Sequence, residues 1–226
     1  LEEEDRWAFV RQEDGYLGYT YLPYLTGKII PPPTHQVTAP VVSLHSSPDA
    51  HSPVVTRLLG GTAVHLDAVQ AEWADISASR RGWIKLENLR PVGNPPAGEG
   101  ERREQMVRDA LRLIGTPYLW GGVSANGIDC SGLARLVHRL SGFNIPRDAD
   151  LQYLAGKPVE PPFRAGDLVF FGEQNGKKKI AHVGVSLGGW EIIHASLSRN
   201  GVYTDNIHAV ETLWANLVGG CSFLQP

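Results

Sequence analysis

The chain has 226 residues, 42% of them hydrophobic and 20% charged, and a formal net charge of −3 at pH 7. This near-neutral charge is spread along the chain, which argues against nucleic-acid binding and against a basic membrane-surface helix. No apolar run approaches the roughly 18 residues of a membrane-spanning helix, and two cysteines cannot build a disulfide framework. We therefore expect a fold that rests on its hydrophobic core, with neither nucleic acid nor a membrane span involved.

The first 92 residues are rich in strand formers, prolines and turns, and they contain an internal repeat. Residues 18–25 (GYTYLPYL) match residues 82–89 (GWIKLENL) as glycine, aromatic, two residues, leucine, two residues, leucine. Upstream, residues 7–10 (WAFV) match residues 73–76 (WADI), with an offset of 66 residues against 64 for the first match. Each copy predicts a strand, a turn, a second strand and a short terminal turn.

In the second copy, residues 41–48 predict a first strand and residues 60–66 the next. The pattern resembles bacterial SH3-like barrels, small five-stranded modules that often flank cell-wall enzymes, and it implies such a barrel over residues 34–93. The first copy has no room for these strands before Trp7, and half a barrel would expose a sheet edge. We expect residues 1–33 to be the C-terminal part of a first barrel, completed by a segment outside this chain. A lone hairpin packed on its neighbours is the alternative.

An exposed linker is predicted at residues 93–101 (GNPPAGEGE), so a third domain is expected over residues 94–226. A helix is predicted over residues 101–115, and Gly115 and Pro117 stop it. Its apolar face is predicted to contain Met106, Val107, Ala110, Leu111, Leu113 and Ile114.

A second helix is predicted to begin at Cys130, because Leu133, Leu136, Val137 and Leu140 recur at helical spacing. Unpaired N–H groups and the positive end of the helix dipole favour a thiolate there. We expect the pKa of this thiol to lie below the roughly 8.5 of free cysteine, as suits a nucleophile. The same N–H groups are suitable donors to an oxyanion.

The other cysteine, Cys221, lies in a strand context and is predicted to be a buried core thiol. A buried structural role is also the alternative for Cys130, although a helix start flanked by Asp129 and Ser131 is a poor place for one.

A thiol nucleophile needs a base, and the base needs an orienting group. His182 and His194 lie in strand-like segments separated by a turn at residues 187–190, so a hairpin is expected to bring both rings to one face. The remaining histidines are predicted to be surface or structural residues in loops, in the barrel or on a polar helix face: His35, His45, His51, His65, His138 and His208.

Zinc is an alternative for this set, since cysteine and histidine are good ligands. Only Cys130, His182 and His194 are available, however, and no recognised metal-binding spacing supports the idea. We predict no metal and no cofactor.

Six short motifs follow one another in the C-terminal part: residues 117–122 (PYLWGG), 129–132 (DCSG), 146–149 (PRDA), 166–171 (GDLVFF), 182–184 (HVG) and 194–196 (HAS). In this order they resemble the NlpC family of papain-like cysteine peptidases, which cleave bacterial peptidoglycan peptides. The resemblance covers about residues 101 to 226 and implies an α+β catalytic domain preceded by the SH3-like barrels. It implies Cys130 as nucleophile, His182 as general base and His194 as the orienting residue, with Tyr118 lining the oxyanion site.

The whole layout is similar to that of γ-D-glutamyl-L-diamino acid endopeptidases. This similarity implies that Asp129 binds the free amine of the substrate and that a tyrosine of the first barrel closes the pocket. Tyr16 is the first candidate for that tyrosine and Tyr19 the second, and Ser131 and Trp120 are further predicted substrate-binding residues. A carboxylate facing an ammonium in a closed pocket would reject substrates whose amine is amide-linked.

These substrate-binding predictions have alternatives. Asp129 is equally well suited to cap the helix, because an anion opposes thiolate formation unless a cation neutralises it. Tyr118 and Trp120 are alternatively packing residues. Ala149 stands where many relatives have serine, so no side-chain contact is inferred there.

The favoured hypothesis is a cysteine endopeptidase that hydrolyses the bond between γ-D-Glu and the diamino acid (diaminopimelate or lysine) of peptidoglycan peptides with a free N-terminal L-Ala. A hydrolase of intact cell wall, with the barrels as wall-binding modules, is the alternative. A non-catalytic wall-binding protein is disfavoured by the complete Cys-His-His set, and an acyl transferase by the lack of a predicted lipid groove.

The expected partners are muropeptides. The start of the chain, LEEED, lacks both a methionine and a signal peptide, which we interpret as a processed start. A cell-envelope or secreted location is favoured, with cytoplasmic peptide recycling as the alternative.

Overall fold

The computed structural model describes residues 2–4, 6–12, 15–25, 27, 31–93, 98–173 and 179–224. The chain divides into two units, Leu1–Pro31 and Pro32–Pro226. Strands dominate both, and the longest described helix has 13 residues. In the described part of the chain, no helix combines the length and the apolar content of a membrane span.

The first unit is an antiparallel sheet with the strand order β1-β2-β3. Its strands are β1 (Glu2–Glu4), β2 (Trp7–Arg11) and β3 (Leu17–Tyr21), and a 3₁₀ turn follows at Leu22–Tyr24. The predicted order of strand, turn, strand and terminal turn is thus confirmed from Trp7 onward, although residues 13 and 14 of the turn lie outside the described residues. Glutamate disfavours strands, so β1 is missing from the sequence prediction; backbone pairing with β2 is what forms it.

Aromatic pairs join β2 and β3 across the strands. The ring centroids of Trp7 and Tyr21 lie 5.5 Å apart, and those of Phe9 and Tyr19 lie 5.0 Å apart. Such cross-strand pairs each stabilise a sheet by roughly 0.2–1 kcal/mol relative to alanine.

The second unit begins with a seven-stranded antiparallel sheet in the order β10-β4-β7-β8-β9-β5-β6. Its strands are β4 (His35–Val37), β5 (Val41–His45), β6 (Val54–Leu59), β7 (Ala63–Gln70), β8 (Trp73–Ser77), β9 (Arg81–Lys85) and β10 (Leu89–Pro91), with a 3₁₀ turn at Leu86–Asn88. Leu44, Val64, Ile76 and Ile84 are fully buried in its core. The strand pairings end at β10 and β6, and no pairing between described strands closes the sheet.

Two of the strands predicted here are confirmed, as β5 and β7. The strand between them, β6, is missing from the prediction, although its VVT start is rich in β-branched residues that favour strands. It pairs with β5 and leaves β5 between two partners, β6 and β9.

The described residues of the rest of the second unit combine four helices with a six-stranded antiparallel sheet in the order β13-β18-β14-β15-β16-β17. The helices are α1 (Glu99–Leu111), α2 (Cys130–Leu140), α3 (Ala149–Ala155) and α4 (Glu211–Ala215). The strands of the sheet are β13 (Lys157–Val159), β14 (Leu168–Glu173), β15 (Lys179–Gly188), β16 (Glu191–Ser196), β17 (Gly201–Asn206) and β18 (Leu217–Ser222). A short ladder, β11 (Val123–Ser124) with β12 (Gly127–Ile128), precedes α2, and a 3₁₀ turn at Leu197–Arg199 precedes β17.

Helix α2 packs against the sheet with its predicted apolar residues. Leu133 and Val137 are fully buried, in one core cluster with Val183 and Val185 of β15 and Ile193 of β16. Burying a side chain of this size contributes roughly 1.5–3 kcal/mol. This packing holds the start of α2 against the middle of the sheet.

Helix α1 differs from the helix predicted over residues 101–115, because it begins at Glu99 and ends at Leu111. Met106, Ala110 and Leu113 are buried, as predicted, whereas Leu111 and Ile114 are exposed. The prediction for these two is wrong because Leu111 lies a further 100° round the helix from Ala110, and Ile114 lies beyond the end of the helix. Residues 94–97 of the predicted linker lie outside the described residues.

Buried ion pairs connect α1 to both sheets. The Nη1 atom of Arg103 lies 2.8 Å from Oδ1 of Asp167, just before β14. The guanidinium of Arg90, in β10, donates to both oxygens of Asp109 at 2.8 and 3.1 Å. Arg90 also donates to the carbonyl of Leu140 at the end of α2. The seven-stranded sheet is thus tied to α1 and α2 by polar contacts.

His138 is fully buried, so its predicted place on a polar helix face is wrong. Its Nδ1 lies 2.8 Å from the carbonyl oxygen of Ala134, and its Nε2 has no partner among the described residues. The rings of Phe143 and Phe223 meet it edge-on. Burial lowers the pKa of His138 from 6.5 to about 4, so the ring is neutral at pH 7 and Nδ1 donates its hydrogen to the carbonyl.

This buried imidazole predicts a loss of stability in acid. Because its folded pKa is depressed, its contribution is present above pH 6.5 and is lost as the pH falls toward 4. Between pH 7 and pH 5 the loss amounts to about 2 kcal/mol. Equilibrium unfolding at both pH values measures this loss. Between pH 7 and pH 5 the free energy of unfolding of His138→Gln should fall by about 2 kcal/mol less than that of the wild type. The exposed His51→Gln is the control, and an equal pH dependence of His138→Gln and the wild type would contradict the prediction.

Candidate active site

Cys130 occupies the first position of α2, where helical periodicity predicts it. The preceding residue, Asp129, has an extended backbone and its Oδ1 accepts a hydrogen bond of 2.7 Å from the backbone N–H of Gly132. This is the geometry of an N-cap. The capping interpretation of Asp129 is therefore confirmed.

The thiol of Cys130 does not have the lowered pKa expected from its helix position. Burial raises its pKa, and the negative charge of Asp129 adds to the effect, whereas backbone N–H groups of Val183, Ser131 and Cys130 itself lower it. Loss of solvation outweighs the helix N-terminus here. At neutral pH the group is therefore a thiol that needs a base to remove its proton.

The predicted histidine hairpin is confirmed as β15 and β16, which pair antiparallel. His182 on β15 and His194 on β16 face each other, with 2.7 Å between Nε2 of His182 and Nδ1 of His194. Burial is the main cause that lowers the pKa of His182 to about 3, and the neighbouring His194 ring adds to it. Burial also lowers the pKa of His194. Both rings are therefore neutral at pH 7 and able to accept a proton.

Helix α2 and strand β15 bring the thiol close to the histidine pair. The backbone N–H of Val183, directly after His182, is close enough to the sulfur of Cys130 to lower the pKa of the thiol. Nε2 of His182 is used by His194, so Nδ1 is the ring nitrogen left for the thiol. Phe171 on β14 packs beside the His182 ring, with 5.8 Å between ring centroids.

A carboxylate extends the histidine pair onto the next strand. Oδ2 of Asp205, in β17, lies 3.1 Å from Nε2 of His194, and the guanidinium of Arg199 bonds to the other carboxylate oxygen. The centroid of the Tyr203 ring lies 4.6 Å from that of the His194 ring. The guanidinium of Arg199 lies over the Tyr203 ring, 3.5 Å from its centroid. We did not predict these residues, although strand alternation puts Tyr203 and Asp205 on one face.

Arg147 is a further charged residue at the site that we did not predict. Its guanidinium holds the Asp129 carboxylate at 2.5 and 3.0 Å and bonds to Oγ of Ser131 at 2.8 Å. Oδ2 of Asp129 also accepts from the backbone N–H of Gly121 at 2.8 Å. The signal was its place in the PRDA motif, since the predicted anion beside Cys130 calls for a cation.

The predicted substrate-binding residues differ in their surroundings. Burial raises the pKa of Tyr118, and the nearby charges of Cys130 and Asp129 raise it further. Ser131 is buried and bonded to Arg147, whereas the Trp120 side chain is 85% exposed. Tyr16 is exposed in the first unit, directly before β3. The binding roles of all four stay predictions.

Among residues 2–173 and 179–224, apart from the gaps given above, no group of three or more Cys, His, Asp or Glu side chains is arranged to hold a metal ion. The two imidazoles are instead hydrogen-bonded to each other and to Asp205.

Comparison with known proteins extends this picture. Residues 115–217 match the model of the NlpC/P60 family. The chain contains an NlpC/P60 domain. The match spans α2, the histidine hairpin and Asp205, so the residues brought together above all lie within it.

This chain is similar to several curated proteins that are named as peptidases. It is similar to the γ-D-glutamyl-L-lysine dipeptidyl-peptidase of Bacillus subtilis (strain 168), with 43% identity over 93 residues, 41% of this chain and 31% of that protein. The dipeptidyl-peptidase 6 of Lysinibacillus sphaericus is 28% identical over 230 residues, covering 94% of this chain and 81% of that protein. The chain thus spans about a third of the length of the Bacillus subtilis relative.

The fold has a counterpart among solved structures. The crystal structure of an NlpC/P60 family protein from Bacillus cereus ATCC 10987 matches with a TM-score of 0.83 and 21% identity, covering all of this chain and 78% of that one. At this identity the match shows the fold, and it extends over the sheet-rich N-terminal residues as well as the NlpC/P60 domain.

Proposed function

We propose that this chain is a cysteine endopeptidase that hydrolyses the bond between γ-D-Glu and the diamino acid of peptidoglycan peptides. The observation that carries the proposal is the 2.7 Å contact between His182 and His194, together with the proximity of Val183, the residue after His182, to the thiol of Cys130. A neutral imidazole next to a thiol is the pairing that thiol catalysis needs. The relatives named γ-D-glutamyl-L-lysine dipeptidyl-peptidases support the choice of bond.

In the proposed mechanism the thiol proton of Cys130 moves to His182, and the sulfur attacks the γ-carbonyl carbon of D-Glu. The oxyanion accepts hydrogen bonds from the backbone N–H of Cys130 and from the Tyr118 hydroxyl. The His182 imidazolium then protonates the leaving amine as the C–N bond breaks, which leaves a thioester. Finally His182 removes a proton from water, whose oxygen attacks the thioester and releases the γ-D-Glu product.

For the substrate end, we propose that Asp129 binds the ammonium of a free N-terminal L-Ala. Its carboxylate already accepts bonds from Arg147, Gly121 and Gly132 at 2.5–3.0 Å, and from the Ser131 hydroxyl at 3.3 Å. A carboxylate has about four lone-pair positions. We propose that the ammonium replaces the weakest of these donors, the hydroxyl of Ser131, and that Tyr118, Trp120 and Tyr16 are further substrate-binding residues.

The proposal divides the chain into an SH3-like module over residues 34–93 and a peptidase domain over residues 94–226, preceded by part of a similar module. The repeat supports this division, because β2 with β3 and β8 with β9 form equivalent hairpins followed by equivalent 3₁₀ turns. The alternative function, hydrolysis of intact wall with these modules as binding surfaces, is favoured by relatives such as the bifunctional muramidase/DL-endopeptidase CwlT of Bacillus subtilis.

Incubation with two substrates tests the proposal. Free L-Ala-γ-D-Glu-diaminopimelate should be cut to L-Ala-D-Glu and diaminopimelate, as seen by mass spectrometry, while intact sacculi should release little. Asp129→Asn should reduce turnover of the free tripeptide at least ~10-fold more than turnover of its N-acetylated form, because a charged hydrogen bond is lost only with the free amine. Equal losses would leave Asp129 with the capping role alone, and preferred release from sacculi would favour the alternative function.

A further inference from the structure

Three polar side chains cross neighbouring strands in one row. Nε2 of His182 on β15 lies 2.7 Å from Nδ1 of His194 on β16, and Nε2 of His194 lies 3.1 Å from Oδ2 of Asp205 on β17. The register pairs His194 with Tyr203, so Asp205 lies two residues farther along β17 on the same face. The row therefore follows from the strand register itself.

The carboxylate at the end of the row has a cation on its other side. Arg199 bonds to Oδ1 of Asp205, while Oδ2 faces His194. The Asp205 side chain is 14% exposed and that of His194 3% exposed. The pair is thus largely shielded from water, and the bond between the guanidinium and the carboxylate is a charge-assisted hydrogen bond.

Hydrogen positions follow from this end of the row. An ionised carboxylate only accepts hydrogen bonds, so Nε2 of His194 must carry the hydrogen of that bond. A neutral imidazole has a single N–H, which leaves Nδ1 of His194 as an acceptor. Nε2 of His182 must then donate to it, and Nδ1 of His182 keeps a lone pair.

A histidine pair without the carboxylate has a second arrangement. Nδ1 of His194 then donates to Nε2 of His182, and the hydrogen of His182 sits on Nδ1. In that arrangement the nitrogen available to Cys130 is already protonated and cannot take the thiol proton. Which nitrogen of a histidine is protonated is set by the hydrogen bond that the other nitrogen makes.

We propose that Asp205 is a positioning residue that holds both imidazoles in the Nε2–H tautomer, so that His182 presents an unprotonated Nδ1 to Cys130. The role of this nitrogen rests on the proposed function, whereas the tautomers do not. In the step that follows, the S–H bond of Cys130 breaks, its electron pair stays on sulfur, and the proton binds Nδ1 of His182. The resulting imidazolium of His182 still donates to His194, which in turn donates to the Asp205 carboxylate.

The test uses Asp205→Ala with Asp75→Ala as the matched control. Asp75 is also paired with an arginine, Arg81, and its side chain is 11% exposed, but it lies on β8. Ring-nitrogen shifts of ¹⁵N-histidine protein, assigned with His182→Gln and His194→Gln, report the tautomers directly. Wild type and Asp75→Ala should show Nε2–H at both rings, whereas Asp205→Ala should show Nδ1–H at His182 in a substantial fraction of molecules.

A second measurement is the rate at which iodoacetamide alkylates Cys130 at pH 7, with peptide mass spectrometry separating it from Cys221. Asp205→Ala should lower this rate at least ~2-fold, in proportion to the fraction of molecules with the wrong tautomer, because that tautomer cannot accept the proton. If Asp205→Ala fails to fold, Asp205→Asn replaces it, since its amide both donates and accepts and should give mixed tautomers.

Unchanged Nε2–H tautomers in a folded Asp205 variant would overturn the inference. A wild type with both Nε2–H tautomers that does not cut the tripeptide would instead refute the proposed function while leaving the tautomer assignment in place. The two failures are therefore distinguishable.

Discussion

Replacing Cys130 with alanine is expected to abolish hydrolysis of the free tripeptide, with a loss on the order of 10⁴-fold or more, because no other group can form the thioester. The fold should be retained, since the side chain is only partly buried and the helix cap at Asp129 does not involve the sulfur. Turnover is measured by mass spectrometry of the released diamino acid, and folding by circular dichroism and thermal unfolding.

The chain offers its own control for this substitution. Cys221 is the second free thiol, buried in β18, and burial raises its pKa to about 12. Cys221→Ala should therefore keep the turnover of the wild type, whatever the substitution costs in stability. Undiminished turnover by Cys130→Ala, or loss of turnover only with Cys221→Ala, would end the proposal that Cys130 is the nucleophile.

Replacing Arg103 with alanine is expected to destabilise the second unit by about 3–5 kcal/mol, because it leaves a buried carboxylate without its cation. Asp167 is 2% exposed, and Arg103 is its only arginine side-chain partner among the described residues. Within the described part of the chain, the other Asp167 oxygen accepts only a backbone N–H, that of Arg164. The change in the free energy of unfolding is measured by equilibrium denaturation at pH 7.

Arg108→Ala is the matched control on the same helix. Arg103 and Arg108 each pair with a glutamate four residues earlier, Glu99 and Glu104, so the change in helix propensity is the same. The pair of Arg108 is exposed, and such pairs contribute about 0–1 kcal/mol. A loss for Arg103→Ala no larger than that for Arg108→Ala would show that the buried pair contributes little net stability.

Local sequence patterns predicted the elements that carry the candidate nucleophile and base. Helical periodicity after Cys130 placed the start of α2, and alternation around His182 and His194 placed the hairpin, because both signals depend on residues within one element. The same patterns did not predict β1 and β6. They also placed Leu111 and Ile114 on the apolar face of α1, although both are exposed. Those elements depend on edge pairing and on packing against other segments.

The charges around the site could not be derived in this way. Arg147 reaches Asp129 across 18 positions of sequence, and Asp205 reaches His194 only through the register of β16 and β17. Neither distance leaves a periodic signal. The pKa of Cys130 is raised, whereas the sequence predicted that it is lowered. Local patterns could not show this, because burial depends on every segment packed around the sulfur.

The sequence by itself determined that a thiol begins a helix and that two imidazoles share a hairpin, because hydrogen-bonded elements follow local periodicity. Only the tertiary structure decided that the thiol is desolvated, that His138 is buried and neutral, and that Asp205 ends the histidine row. Solvation and Coulomb energies sum over neighbours in space, and most of those neighbours are distant in the chain.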